Sequence, residues 1–211
     1  MNRDKWREQL RSNRELFIGE KTAFRSAVLI PLVQVDGEWN VLFEVRSSTM
    51  RSQPGDICFP GGRIDPTDES PLFAALRETH EELGVNPDTV EVLGPLSPYI
   101  ASPSFVVYPF AGIVDYKEII SSFNKNEVEE VFTVPLQYLL EHEPYMHPVM
   151  VNPSPDPDFP YEKIQNGTNY KWRGRAIEEW FFEYGPYTIW GLTARILKHF
   201  IDIIRSEQGL T

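Results

Sequence analysis

Cysteine is almost absent from this 211-residue chain, in which Cys58 is the only one. A single cysteine excludes a disulfide within the chain, as is typical of proteins from a reducing compartment. The sequence also lacks a run of about 18 apolar residues, the length that a membrane-spanning helix needs. Its opening segment, MNRDKWREQLRSN, has no apolar stretch of the kind found in secretory signal peptides. The sequence therefore predicts a cytoplasmic protein with no membrane partner.

Basic residues are scarce relative to acidic ones, 20 against 31, and the formal net charge is −11. Nucleic-acid binding depends on lysines and arginines that displace counterions, so this charge balance predicts no nucleic-acid partner. An anionic small molecule would also be repelled, unless its site holds divalent cations among carboxylates. The alternative interpretation is that the acidic surface serves solubility alone.

No internal repeat and no low-complexity segment interrupts the chain. Strand-like and helix-like segments alternate, with a hairpin signal at Asp36-Gly37. This order predicts one domain, residues 1–211, of the α/β (α+β mixed) class, in which helices cover a mixed sheet. Residues 1–24 predict an N-terminal helical extension and residues 188–207 a C-terminal helix. The segment 152–168, rich in Pro, Asp and Asn, predicts an exposed loop.

Residues able to do chemistry concentrate in the segment 61–85, GGRIDPTDESPLFAALRETHEELGV. Ser70 is a favourable N-cap, Pro71 suits the first helical position, and Gly84 is a typical C-terminal stop. At about 100° per residue, an apolar side and an acidic side of this helix face in opposite directions. The apolar side carries Leu72, Leu76, Thr79 and Leu83, and the acidic side carries Glu78, Glu81 and Glu82.

Three carboxylates at this spacing repel one another, at a cost of about 0.2–0.5 kcal/mol per pair. Arg77 lies four residues before Glu81 and relieves only part of this repulsion. Mg²⁺ or Mn²⁺ would offset the rest, because these hard ions take oxygen ligands from carboxylates, water and phosphate. Taken alone, three glutamates on one helix face are more often a solvated surface.

The residues around the helix favour the metal, because the segment 61–85 resembles the Nudix box. That pattern runs Gly, five residues, Glu, seven residues, then Arg-Glu-aliphatic-x-Glu-Glu-x-Gly-aliphatic. Two positions depart from it: six residues separate Gly62 from Glu69, and Thr79 stands where an aliphatic residue is usual. The matching positions are Gly62, Glu69, Arg77, Glu78, Glu81, Glu82, Gly84 and Val85.

A second motif lies directly upstream, in RSSTMRSQPGDICFPGG at 46–62. It is similar to the companion motif of the coenzyme A diphosphatase subgroup of Nudix hydrolases. That motif runs Arg, a small residue, three residues, Arg, three residues, Gly, three residues and Phe-Pro-Gly-Gly. Members of this subgroup also tend to have the longer loop after the glycines. The matching positions are Arg46, Ser47, Arg51, Gly55, Phe59, Pro60, Gly61 and Gly62.

The resemblance implies a Nudix-type α/β/α sandwich and a metal-dependent hydrolase that cleaves the diphosphate linkage of a nucleoside diphosphate derivative. The implied small-molecule substrate is coenzyme A or a thioester of it, cleaved to 3′,5′-ADP and 4′-phosphopantetheine. Glu78 and Glu82, with Glu81 assisting, would bind Mg²⁺ or Mn²⁺, and Arg77 would orient these carboxylates. The implied substrate-binding residues are Arg46, Arg51, Phe59, Gly61 and Gly62.

Two questions stay open at the level of sequence. The general base is either Glu78 or Glu127, and the alternative for Glu127 is an ordinary surface glutamate. The substrate is coenzyme A or, as alternatives, ADP-ribose or a nucleoside triphosphate. A catalytically silent Nudix domain that senses a nucleotide is a further alternative, although the chain keeps all three box glutamates.

Overall fold

The computed structural model describes residues 3–13, 15 and 17–207. Its helices, in chain order, are α1 (Arg3–Ser12), α2 (Pro71–Leu83), α3 (Tyr116–Ser122), α4 (Leu136–Glu141) and α5 (Gly191–Glu207). Its strands are β1 (Phe24–Val35), β2 (Glu38–Arg46), β3 (Ile57–Cys58), β4 (Gly61–Arg63), β5 (Glu91–Pro95), β6 (Tyr99–Ser102), β7 (Phe105–Ile113), β8 (Val128–Pro135), β9 (Tyr145–Val151), β10 (Arg175–Tyr184) and β11 (Tyr187–Trp190).

The strands β1 to β8 form one mixed sheet around β1. Strand β1 runs antiparallel to β2 and β4 but parallel to β7. Strand β2 also pairs with β3 and with β8, which flank it on opposite edges at Glu44 and Val45. The turn between β1 and β2 has positive φ angles of 51° at Asp36 and 85° at Gly37, as a two-residue hairpin of type I′ requires. The predicted mixed sheet and hairpin are both confirmed.

Both faces of this sheet are covered, because successive side chains of β1 point to opposite sides. Leu29 and Val33 pack in a cluster with Leu83 of α2. Ile30 lies in a second cluster with Leu197 of α5. The sheet thus lies between α2 and α5, which confirms the predicted α/β/α arrangement.

A second sheet of three antiparallel strands, in the order β11-β10-β9, was not foreseen. Its edge strand β9 is exposed along its whole length and contains Pro148, so its sequence lacks the alternation that predicts a strand. The predicted helix 188–207 is wrong at its start. Residues 188–190 pair with β10 as part of β11, and the helix begins at Gly191.

The N-terminal segment is helical only over α1, and no residue of that helix is buried. Residues 1, 2, 14 and 16 of the predicted extension 1–24 lie outside the described residues. The predicted loop 152–168 is confirmed as exposed chain, with a 3₁₀ turn at Tyr161–Lys163. Among the described residues, no helix combines the length and apolar content needed to cross a membrane.

Candidate active site

Helix α2 begins and ends where the sequence predicts. The Ser70 hydroxyl accepts a hydrogen bond from the Phe73 backbone N–H at 3.1 Å, and Pro71 follows as the first helical residue. Gly84 adopts the left-handed conformation, with φ 74°, and its N–H donates to the carbonyl of His80. These caps fix where the helix begins and ends. The packing of the helix on the sheet then decides in which direction each glutamate between the caps points.

The three box glutamates are not equally exposed, and here the predicted division of the helix into two sides is wrong. Glu82 lies on the buried side and is only 4% exposed. The side chain of Glu78 is 18% exposed, whereas that of Glu81 is 50% exposed. The reason is that α2 packs on the sheet through its smallest residues, and the side chains it buries are Ala74, Ala75, Thr79, Glu82 and Leu83.

Thr79 occupies the position where the box pattern has an aliphatic residue. Its side chain is buried, and its hydroxyl donates to the carbonyl of Ala75 at 2.7 Å. A buried hydroxyl that keeps a hydrogen bond carries little penalty. The departure from the pattern therefore affects neither the packing of α2 nor the position of its carboxylates.

The glycine pair of β4 is the surface against which the carboxylates lie. The Gly61 N–H donates to Oε2 of Glu82 at 2.8 Å. Gly61 has φ +150°, and a Cβ there would lie 2.3 Å from the carbonyl oxygen of Ala27. A Cβ on Gly62 would lie 2.5 to 2.6 Å from the three carboxylate atoms of Glu78. Glycine at 61 thus allows the close approach of β4 to β1, and glycine at 62 allows the Glu78 carboxylate to approach the strand.

Arg77 holds the acidic groups together, as predicted for an orienting residue. Its Nε and Nη2 each lie 3.0 Å from one carboxylate oxygen of Asp68, and its Nη1 lies 2.9 Å from Oε1 of Glu78. Contacts of 3.3 Å reach Glu81. A planar guanidinium suits such forked bonding, in which one cation fixes several carboxylates.

Asp68, rather than Glu69, is the acidic loop residue that the site uses. The Asp68 side chain is 1% exposed, and Arg77 lowers the pKa of its carboxyl group. Glu69 is exposed. The signal was present in the sequence, because Asp68 follows Gly62 with the five-residue spacing that the box pattern asks for. Glu69 keeps the seven-residue spacing to Arg77, so each of the two residues satisfies one of the two spacings of the pattern.

Residues of the upstream motif take different positions. Arg46 ends β2, where its charge acts on Glu82 and on Glu44 of the same strand. Arg51 is exposed in the loop that follows. Phe59 is 3% exposed, and its ring stacks on that of Phe43 with centroids 5.1 Å apart. Phe59 therefore packs in the core, which corrects its predicted role in substrate binding.

Glu127 lies in the turn before β8, beside the end of helix α2. The turn is tied to the helix by the Asn124 N–H, which donates to the Glu82 carbonyl at 2.7 Å. It is tied to the upstream loop by the Ser47 N–H, which donates to the Glu127 carbonyl at 2.8 Å. The Glu127 carboxylate is close enough to repel that of Glu44. The fold thus brings Glu127 into the neighbourhood of the box glutamates.

Negative charge is buried at this site without a matching number of cations. Burial, and then the charge of Glu44, raises the pKa of Glu82 to about 9. Burial likewise raises the pKa of Glu44 to about 7, and it raises the pKa of Glu78. Carboxylates held in such a place favour either a proton or a bound cation.

The donor set suits a hard divalent ion. Glu78 and Glu82 offer carboxylate oxygens next to the two glycines of β4. Within the described residues, no three His, Cys, Asp or Glu side chains are already grouped to hold a metal ion. Mg²⁺ needs no closed cage of protein ligands, because water and substrate phosphate can complete its coordination.

Comparisons with known proteins agree with this geometry. The NUDIX domain family model matches residues 23–153. The chain is 37% identical over 151 residues to the peroxisomal coenzyme A diphosphatase NUDT7 of Mus musculus. That alignment covers 70% of this chain and 64% of the mouse protein, which is less than two thirds of its length.

Two further relatives extend the comparison. The chain is 36% identical over 174 residues to the uncharacterized Nudix hydrolase NudL of Enterobacter sp. (strain 638), over 82% of this chain and 79% of that protein. A crystal structure of a MutT/nudix family protein from Enterococcus faecalis has a TM-score of 0.50 and 15% identity. It covers 97% of this chain and 70% of that one, and this likeness concerns the fold alone.

We expect Gly62→Ala to displace the Glu78 carboxylate and to weaken Mn²⁺ binding by about 10- to 100-fold. The flexible Glu78 side chain can give way, so the thermal unfolding midpoint should change little. Gly61→Ala is the contrasting variant, because its Cβ meets a backbone carbonyl and should destabilise the protein by about 1–3 kcal/mol. Calorimetric Mn²⁺ titration and urea unfolding measure the two effects. Unchanged Mn²⁺ affinity in Gly62→Ala would contradict the assignment of Glu78.

The metal-free protein should lose stability as the pH rises. Glu82 and Glu44 have raised pKa values in the folded state, so folding favours their protonated forms. This stabilisation is complete below the ordinary carboxyl pKa and disappears as the pH rises through about 5 to 9. Thermal unfolding with a chelator present should show the loss, and Glu82→Gln should reduce it. Glu81→Gln, which removes a half-exposed charge, is the control, and an equal effect of both variants would refute the explanation.

Proposed function

Because the chain belongs to the NUDIX domain family, we propose that it is a metal-dependent diphosphatase whose substrate is coenzyme A or one of its thioesters. Hydrolysis would give 3′,5′-ADP and 4′-phosphopantetheine. The observation that carries the proposal is the continuity of the two motifs. The arginine-bearing loop at 47–56 leads through β3 directly into the glycine strand β4, against which Glu78 and Glu82 lie.

The loop at 47–56 places Arg51 differently from Arg46, which is the last residue of β2. Its base is closed by two backbone hydrogen bonds, from the Arg46 N–H to the Asp56 carbonyl at 2.9 Å and from the Gly55 N–H to the Arg46 carbonyl at 3.0 Å. Arg46 is thereby held next to the buried carboxylates, whereas Arg51 lies in the exposed part. We assign Arg46 to the diphosphate and Arg51 to the 3′-phosphate of coenzyme A, since guanidinium groups bind phosphate oxygens in forked pairs.

The residues of the site would share the work of hydrolysis at phosphorus. When bound, Mg²⁺ or Mn²⁺ supplies charge neutralisation on the diphosphate and lowers the pKa of the attacking water. Glu78 and Glu82 hold the ion, with Glu81 assisting at the exposed edge. Arg77 keeps these carboxylates in place through its bonds to Asp68 and Glu78.

A base must remove a proton from the attacking water. Glu78 is bonded to Arg77, packs on Gly62 and is assigned to the ion, so its carboxylate oxygens are already engaged. Glu127 lies outside the helix, in a turn that backbone hydrogen bonds hold beside Glu82. We therefore favour Glu127 as the general base, because it lies next to the box glutamates but outside the group of proposed ligands.

The name of the mouse relative supports coenzyme A as the substrate, since that protein is described as a coenzyme A diphosphatase. The competing substrates are ADP-ribose and nucleoside triphosphates, which share the phosphate chemistry but lack the pantetheine arm. An assay that resolves products separates these possibilities, whereas release of total phosphate does not.

We expect Mn²⁺-dependent cleavage of coenzyme A with a kcat/KM at least about 10-fold above that of ADP-ribose or dGTP. The physical reason is that only coenzyme A has a 3′-phosphate for the arginine loop to bind, and one charged hydrogen bond is worth about 1.5–3 kcal/mol. Product-resolved chromatography of a substrate panel measures the ratios. Equal or faster turnover of ADP-ribose would refute the coenzyme A assignment.

Two variants serve as controls in that assay. Glu82→Gln should lose both Mn²⁺ affinity and activity, because it removes a metal ligand and keeps the side-chain shape. Glu127→Gln should lose kcat while Mn²⁺ affinity stays at the wild-type value, because a base acts after the ion is bound. Full activity of Glu82→Gln would contradict the metal site, and full activity of Glu127→Gln would return the role of base to Glu78.

The role of Arg51 is tested by a substrate that lacks the 3′-phosphate. Arg51→Ala should raise the KM for coenzyme A by about 10-fold, the effect of losing one charged hydrogen bond. Its KM for 3′-dephospho-coenzyme A should match that of the wild type, and kcat should change little for either. Arg173→Ala, at another exposed arginine, is the matched control. A rise in KM of equal size for both substrates would exclude contact with the 3′-phosphate.

A further inference from the structure

Glu44 is a buried carboxylate that the two sequence motifs do not account for. It lies within β2 and is 1% exposed. The Cys58 thiol on the neighbouring strand β3 donates to its Oε1 at 3.2 Å. Its Oε2 is also buried and has no hydrogen-bond partner among the described residues. An unpaired buried carboxylate oxygen is costly, so its presence in a native protein calls for an explanation, of which a bound ion is one.

Strand pairing places Glu44 at the site of the box glutamates, because its partner Cys58 lies three residues before Gly61, whose N–H donates to Glu82. Its carboxylate is the strongest source of charge repulsion on Glu82. The carboxylates of Glu78 and Glu127 also repel it, and the Arg46 guanidinium on the same strand is the cation that attracts it. Glu44 thus approaches this group from the sheet, opposite the glutamates that approach from α2.

We propose that Glu44 is a further ligand of the divalent ion, coordinating it through Oε2 from the sheet side while Glu78 and Glu82 coordinate it from the helix. This inference rests on the proposed function, because it assigns a residue to the metal site of that reaction. It explains why β2 buries a carboxylate near its end, and why one oxygen of that carboxylate has no hydrogen-bond partner among the described residues.

The partner of Glu44 fits this role. Cys58 binds one carboxylate oxygen and thereby orients the other, as groups behind a metal ligand commonly do. Burial and the neighbouring carboxylates raise the pKa of the Cys58 thiol, so it stays a neutral donor. A neutral thiol is a poor metal ligand, whereas the carboxylates around it select hard ions. The chemistry of the site therefore favours Mg²⁺ or Mn²⁺ over thiolate-binding metals.

The test is direct Mn²⁺ binding to the full chain without substrate, measured by electron paramagnetic resonance of free Mn²⁺. Glu44→Gln should weaken binding by about 10-fold or more, since it removes a charged ligand and keeps the side-chain volume. The upward shift of the unfolding midpoint caused by Mn²⁺ should shrink accordingly. Glu38→Gln removes the same charge from the exposed start of the same strand and should bind Mn²⁺ as the wild type does.

A purely structural role of Glu44 predicts a different result. Glu44→Gln would then change the unfolding midpoint by the same amount with and without Mn²⁺, and Mn²⁺ affinity would equal that of the wild type. That outcome overturns the inference. If Glu44→Gln does not fold, Glu44→Asp provides a second variant, because it withdraws the carboxylate by one methylene. Wild-type Mn²⁺ affinity in Glu44→Asp would also overturn it.

The inference and the proposed function can fail separately. Weakened Mn²⁺ binding in Glu44→Gln, together with a wild-type protein that leaves coenzyme A intact, supports the ligand and rejects the substrate. Cleavage of coenzyme A by the wild type, together with unchanged Mn²⁺ binding in Glu44→Gln, supports the substrate and rejects the ligand.

Discussion

The site depends on one constraint, the contact of the Glu78 and Glu82 carboxylates with the glycine pair of β4. Glu82 is taken out of water and receives one backbone N–H from Gly61 in return. That single bond does not compensate a full charge in a low-dielectric place. The Glu82 carboxylate therefore favours either a proton or a bound cation, because the Arg77 guanidinium is turned toward Asp68, Glu78 and Glu81 instead. The packing of β1, β4 and α2 thus holds the Glu82 carboxylate in a place where it lacks a positively charged partner.

Local signals in the sequence were sufficient for the elements that build the site. Ser70, Pro71 and Gly84 define the ends of helix α2 by capping chemistry, which acts over a few residues. Asp36 and Gly37 define the hairpin in the same way. The spacing of the two motifs then identified the family, because a fixed order of charged residues and glycines is rare by chance.

Features that depend on contacts between residues far apart in the sequence could not be predicted from such local signals. The helical periodicity predicts that Glu82 lies opposite Thr79 and Leu83. In the structure, α2 instead packs closely on the sheet through Ala74 and Ala75, and this contact buries Glu82 as well. Glu44 carries no motif signal, since its position beside Cys58 follows from strand pairing. The exposed strand β9 has no alternation to detect, because neither of its faces is covered.

The parallel pairing of β1 with β7 has a consequence for how the chain reaches its native state. Phe24 pairs with Phe105, so the central ladder closes only after the whole box segment has emerged between them. Contacts between distant segments form slowly, because loop closure must precede any gain from pairing. During biosynthesis β1 can therefore complete its parallel pairing with β7 only after the segment that carries α2 has been made. The central ladder of the sheet is thus expected to form later than the local hairpin of β1 and β2.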